Sequence, residues 1–241
     1  TGRSSRPGIK ALLEKADVVV YTGSLVKETV LNYCGPDVKI YNSAPLHFDG
    51  IMSIVIRSAK SGKRVVRLHT GDPTIYGALN EQMERLKTEA VPYKVIPGVS
   101  SAFAAAASLK KELTIPEVTQ TVIFTRLSGR TPMPAKEGLS SLASHGGTLC
   151  IFLSVGMIDR VVKELIAGGC TPQTPAAVVY RASWDDEVRL TGTLKDISLK
   201  VKKAKITRHS IIIVGPAIGV IARSRSRLYD KGFKHGFRGD R

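Results

Sequence analysis

The first third of the chain alternates short β-branched runs with stretches of helical spacing. VVVY (18–21), VKIYN (38–42) and RVVRLHT (64–70) read as strands, because β-branched runs suit a pleated and covered surface. IKALLEKA (9–16) reads as a short helix. A second helix is expected from an N-cap at Ser24 to about residue 33, and a third over 48–60, closed by Gly62. A fourth is expected over 76–89, followed by the apolar run YKVIP (93–97) and a Pro-Gly turn into VSSAFAAAASL. Strands that alternate with helices predict an open, largely parallel α/β sheet.

The pattern is interrupted at LTIPEVTQ (113–120), where Pro116 breaks it. TVIFTR (121–126), TLCIFLS (148–154) and AAVVYRA (176–182) then read as strands separated by helical segments. EVRLTGTL (187–194) and SIIIVGPAI (210–218) add two more, close to a hairpin arrangement. The sequence therefore predicts two α/β domains, residues 1–112 and 113–241, the second with a basic tail.

Composition narrows the class. A 43% hydrophobic content supports a real core. No apolar run approaches the roughly 18–20 residues that a membrane helix needs, and the basic start TGRSSRPGIK has no apolar segment behind it. Three scattered cysteines without a C-x-x-C, and histidines without H-x-x-x-H spacing, predict no disulfide framework, no metal site and a cytoplasmic location. The net charge of +16 invites a nucleic-acid partner. Most of it lies in three stretches, residues 1–15, 200–208 and 220–241, and the body between them is nearly balanced. Aromatic residues are only 6% of the chain and no aromatic cluster sits among the lysines, so the stacking platforms of an RNA-binding groove are missing. A nucleic-acid partner is thus disfavoured.

Candidate chemistry gathers where strands end, which is where open α/β sheets bind ligands. HTGDPTIYG (69–77) leaves a strand through Gly71, Asp72 and Pro73. Asp72 can cap a helix whose first residue is Pro73, or its carboxylate can take a ribose hydroxyl while Gly71 lets a ligand approach the backbone. IPGVSSAFAAAAS (96–108) places Ser100 and Ser101 at a helix start, and its alanines demand close packing on a neighbour. TRLSGRTPMP (125–134) carries Arg126 and Arg130 on a Gly/Pro-shaped loop suited to carboxylates. YRASWDDE (180–187) combines the sole tryptophan with three acids, either as a charged turn or as the seat of a general base. G-x-G-x-x-G, the P-loop and G-x-S-x-G are all absent, which removes Rossmann dinucleotide, P-loop and serine-hydrolase readings.

Taken together, HTGDPTIYG, VIPGVSSAFAAAA, ELTIPEVTQTVIFTRLSGRTPMP and VVYRASWDDE resemble the tetrapyrrole (corrin/porphyrin) methyltransferases. L-T-I-P, T-Q-T-V-I and T-R-x-x-G-R-T-P resemble the cobalamin branch that methylates C11 of precorrin-4 or cobalt-precorrin-4. The resemblance runs from about residue 7 through SRLYDKGFKHGFR. One departure stands out. The family's opening strand and its G-x-G-P-G-D-P loop, part of the floor of its site, are not found ahead of TGRSSRPG, where the family's first helix is expected.

The resemblance implies two α/β domains with an active-site cleft between them, a homodimer, and S-adenosyl-L-methionine as methyl donor. It assigns donor contacts to Thr70, Gly71, Asp72 and Ile75, to Ser100 and Ser101, and to Leu153 and Ala182. Arg126, Arg130 and His47 are expected to meet the carboxylates of a tetrapyrrole acceptor, and no residue is assigned as a catalytic base. Rival readings are an RNA ribose 2'-O-methyltransferase of the same superfamily and a non-catalytic RNA-binding protein.

Overall fold

The structure, a computed structural model, describes residues 8–219. These fall into two compact units that divide after Ser100.

In the first unit, helix α1 (Ile9–Glu14) leads into strand β1 (Val18–Tyr21), followed by β2 (Lys39–Asn42), α2 (Phe48–Lys60), β3 (Val65–Leu68) and α3 (Leu79–Thr88). The sheet has the order β2-β1-β3 and is wholly parallel, as the strand-helix alternation predicts. β1 is central and buried throughout. Its alternate residues feed two separate clusters: Val19 and Tyr21 join Leu13 and Leu68, while Val18 and Val20 join Val55 of α2. A third small cluster, Met52, Ile56 and Val91, lies under α3.

Two expectations change here. No α-helix forms from Ser24; the segment turns back at Thr22 and makes only a 3-10 helix, Glu28–Tyr33. Its β-branched Thr29 and Val30 are poor helix formers, and no side chain caps it. The helix expected from 76 begins at Leu79. Tyr76 and Ala78 both have positive φ, 55° and 48°, a conformation that cannot propagate a right-handed helix. YKVIP takes no strand assignment, and among the described residues no strand pairs with the outer edge of β3.

The second unit holds α4 (Ser101–Leu109), β4 (Val122–Arg126), α5 (Leu139–Ala143), β5 (Thr148–Phe152), α6 (Ile158–Ala167), β6 (Pro175–Tyr180), β7 (Val188–Thr193), α7 (Ile197–Lys203), β8 (Ser210–Val214) and the short α8 (Pro216–Gly219). Its sheet has the order β4-β5-β8-β6-β7. β4 and β5 are parallel; β8 enters antiparallel between β5 and β6, and β6 and β7 form an antiparallel pair. One face, built from Leu149, Ile151, Ala176, Val178, Ile212 and Val214, packs with α5, α6 and α7 into a single buried core. On α4, Ala102 and Ala105 are fully buried, which is the close packing that the alanine run demands.

Candidate active site

The corner after β3 is organised by one carboxylate. Gly71 has φ +62°, which turns the chain sharply and favours glycine. The Asp72 side chain then closes an Asx turn: its Oδ1 accepts the Thr74 N–H at 2.9 Å and the Thr74 hydroxyl. Its Oδ2 accepts the backbone N–H of Gly98 at 3.0 Å. Asp72 is therefore a cap, but of a single turn and not of the helix, and it also staples the 70–75 corner to the Pro-Gly turn. These bonds hold its carboxyl below the usual aspartate range, the Thr74 hydroxyl foremost among them. A side chain at Gly98 would collide with the Gly71 carbonyl oxygen, so the two turns meet backbone to backbone. Thr70 and Gly71 are exposed, Asp72 and Ile75 half-buried, and Ser100 is buried at the end of the same unit.

Two residues just ahead of this corner also bear on it. Arg67 on β3 donates to the Val20 carbonyl at 3.1 Å and to the Thr22 hydroxyl at 3.4 Å, tying β3 to the end of β1. His69 follows one residue past the end of the strand. Burial, aided by the Arg67 charge, pushes its pKa down to about 4, so the imidazole beside Thr70 is neutral at physiological pH. His47 lies elsewhere in the unit, exposed at the N-cap position of α2, where its side chain makes no capping bond.

In the second unit, the carboxyl ends of β4, β5 and β6 share one end of the sheet with the starts of β7 and β8. Four non-glycine residues there have positive φ: Leu153 (54°), Arg181 (47°), Ser183 (70°) and His209 (55°). Such conformations cost energy and persist where the surroundings over-determine them, as they do at functional sites. Leu153 is 72% exposed, an apolar side chain presented to solvent from a rigid corner. Ser154 behind it is fully buried: its hydroxyl donates to the Phe152 carbonyl at 2.6 Å and accepts the Leu127 N–H at 2.8 Å. Ser101 is exposed at the first turn of α4, and Ala182 is half-buried between Arg181 and Ser183.

The 126–134 loop separates its two arginines by role. Arg126 donates to the carbonyls of Leu127 (3.4 Å), Thr131 (2.9 Å) and Pro132 (2.8 Å), so its guanidinium braces its own loop. Arg160 of α6 adds a bond to the Ser128 carbonyl at 2.9 Å. Arg130 is exposed at the tip. The acids of YRASWDDE are likewise engaged. Asp186 pairs with Arg181 at 2.6 Å, and Glu187 accepts the Ser183 N–H at 2.8 Å and the Ser108 hydroxyl. Arg67, His69, Ser154, Arg160 and Glu187 were not singled out in the sequence. Only Ser154, at the end of the TLCIFLS run, and His69 and Glu187, each inside a flagged stretch, had a local signal.

Turns gathered at the carboxyl ends of α/β strands mark a class of small-ligand proteins. Within that class the chain belongs to one family, because the model for "Tetrapyrrole (Corrin/Porphyrin) Methylases" matches residues 8–198. A cobalt-precorrin-4 C(11)-methyltransferase of Methanocaldococcus jannaschii is 55% identical over 229 residues, 95% of this chain and 88% of that protein. The X-ray structure of a cobalt precorrin-4 methyltransferase, a cobalamin biosynthetic enzyme, matches with a TM-score of 0.84 at 42% identity over 87% of each chain. Uroporphyrin-III C-methyl transferase from Thermus thermophilus, complexed with S-adenyl homocysteine, matches with a TM-score of 0.74 at 28% identity. That match covers 89% of this chain and 93% of the other.

Proposed function

We propose that this protein transfers a methyl group from S-adenosyl-L-methionine to C11 of cobalt-precorrin-4 or precorrin-4 in cobalamin biosynthesis. The observation that carries this reading is the 55% identity, across nearly the whole chain, to a relative named for that reaction.

The residues suit the donor. A sulfonium is disfavoured beside a cation, and Thr70, Gly71, Ile75, Ser100, Ser101, Leu153 and Ala182 are all uncharged. His69, next to Thr70 in the chain, is neutral at physiological pH, and Asp72 is ionised. In the proposal, the turns at 70–75 and 98–101 bind the polar parts of the donor, and exposed Leu153 with Ala182 offers apolar walls to its adenosyl group.

The sulfonium supplies an activated methyl group; the protein's part is to align it with the acceptor carbon and exclude water, which is worth several kcal/mol of barrier. Arg130, projecting from its braced loop, binds an acceptor carboxylate, with His47 and any donors that Arg126 has to spare as further contacts. The protein works as a homodimer in the cytoplasm. Among the described residues, no helix is long and apolar enough to cross a membrane.

Calorimetry with S-adenosylhomocysteine tests the donor assignment: saturable one-to-one binding is expected, and no heat at millimolar ligand would refute it. Sedimentation of the same sample checks the dimer.

A further inference from the structure

We propose that Glu187 is a positioning residue of the cofactor site, holding the Arg181-Ala182-Ser183 turn in its left-handed shape so that Ala182 faces the donor. The proposal rests on the reading of Ala182 as a donor contact.

Ala182 lies between two non-glycine residues of positive φ, and an isolated chain would relax such a turn. Two clamps oppose that relaxation. On the Arg181 side, the backbone N–H donates to the His209 carbonyl at 2.9 Å. The Arg181 guanidinium pairs with Asp186 and lies 5.2 Å from the centre of the Tyr180 ring and 4.8 Å from that of Trp184. On the Ser183 side the clamp is the Glu187 carboxylate. One oxygen receives the Ser183 N–H at 2.8 Å; the other receives the Ser108 hydroxyl and lies 3.5 Å from Arg189. Arg189 in turn donates to the Ser108 carbonyl at 3.0 Å. Glu187 thus connects the strained turn to the end of α4, a helix whose alanine face is fixed in the sheet. A carboxylate fits because both of its oxygens accept, one facing the Ser183 N–H and the other the Arg189 guanidinium, groups that can only donate.

The test compares wild type, E187A and the double variant E187A/S183G. Glycine adopts the Ser183 conformation without strain, so it restores the turn when the clamp is gone. The affinity for S-adenosylhomocysteine is expected to fall by about tenfold in E187A, the scale of one strained residue released, and to return to within about threefold of wild type in the double variant. Trp184, the sole tryptophan, sits inside the turn and gives a readout that needs no ligand. Its emission should shift red in E187A and return in the double variant. Far-UV circular dichroism confirms that all three proteins fold. A wild type that binds the ligand while E187A shows equal affinity and unchanged emission overturns the clamp. Loss of binding that S183G does not rescue also overturns it, since Glu187 would then act by another route. A wild type that binds no S-adenosylhomocysteine overturns the donor reading, and with it the role given to Ala182; the shape of the turn is then judged by Trp184 emission alone.

Discussion

The two units hold their candidate sites by different means. In the second unit, among the described residues, five strands and the helices beside them enclose a core of seventeen buried residues on one face; the strained corner at Leu153 rests on that frame, and the turn at Arg181 and Ser183 adds the Glu187 clamp to it. In the first unit, among the described residues, three strands support three small clusters, β2 is exposed along its length, and the corner after β3 is held by the Asp72 carboxylate. Packing can fix a backbone shape by excluding alternatives. A hydrogen-bonded staple fixes one only while each partner is in place, so the first unit's corner should be the more fragile under substitution and acid.

The largest effect that would sharpen this contrast lies in the cores. Leu165 of α6 is fully buried in the large core, and Leu165→Ala should cost about 3 to 4 kcal/mol, whereas Met52→Ala, in a cluster that can collapse, should cost about 2. Trp184 follows the second unit alone, while circular dichroism follows both. Urea unfolding by circular dichroism should therefore begin below the fluorescence transition. Coincident curves would erase the contrast.

Next in size is Gly98→Ala, which drives a methyl group into the Gly71 carbonyl. It should cost about 1 to 3 kcal/mol and weaken S-adenosylhomocysteine binding. Asp72→Ala, which strips the acceptor from two backbone N–H groups, should cost about 1 to 2 kcal/mol. Thermal melts and calorimetry on each variant measure both consequences.

A pH series with one substitution reads the first unit's corner through His69; His209 of the second unit, whose pKa burial and its neighbouring arginines also lower, adds to the same slope. His69 titrates at about 4 in the folded protein against an ordinary 6.5. Between those values the unfolded chain binds a proton that the folded chain does not, so stability falls as pH drops through this window. His69→Gln should flatten that slope, read as melting temperature against pH. A wild-type profile with no slope there would contradict the burial of a neutral imidazole.

The smallest effects are on the second unit's loop. Arg130→Ala should raise the KM for the tetrapyrrole several-fold and leave donor affinity and melting temperature unchanged. Arg126→Ala removes the brace and should cost about 1 kcal/mol as well as raising KM. Equal behaviour of the two variants would remove the distinction between brace and contact.

Much of this was legible in the sequence, for physical reasons that differ by element. β-branched runs bounded by turn residues gave away β1, β6 and β8, since burial on both faces leaves few alternatives. The alanine stripe of α4 announced close packing. The helix starts were harder. Asp72-Pro73 is a strong helix-opening signal, yet the carboxylate spends itself on Thr74 and on Gly98, twenty-six residues away, and two left-handed residues delay the helix to Leu79. YKVIP has a strand's composition, but a strand also needs a partner, and pairing is not written in the segment itself. The same limit explains Glu187, Arg160 and Ser154. Their roles come from bonds to Ser108, Ser128 and Leu127, contacts that no local pattern encodes.

The central claim is a methyl transfer to a corrin precursor. The direct test is mass spectrometry of the tetrapyrrole after incubation of the protein, cobalt-precorrin-4 and isotopically labelled S-adenosylmethionine. One labelled methyl group per macrocycle, carried on C11, is the expected product. An unmodified macrocycle, or a label on any other carbon, from protein that binds S-adenosylhomocysteine would contradict it.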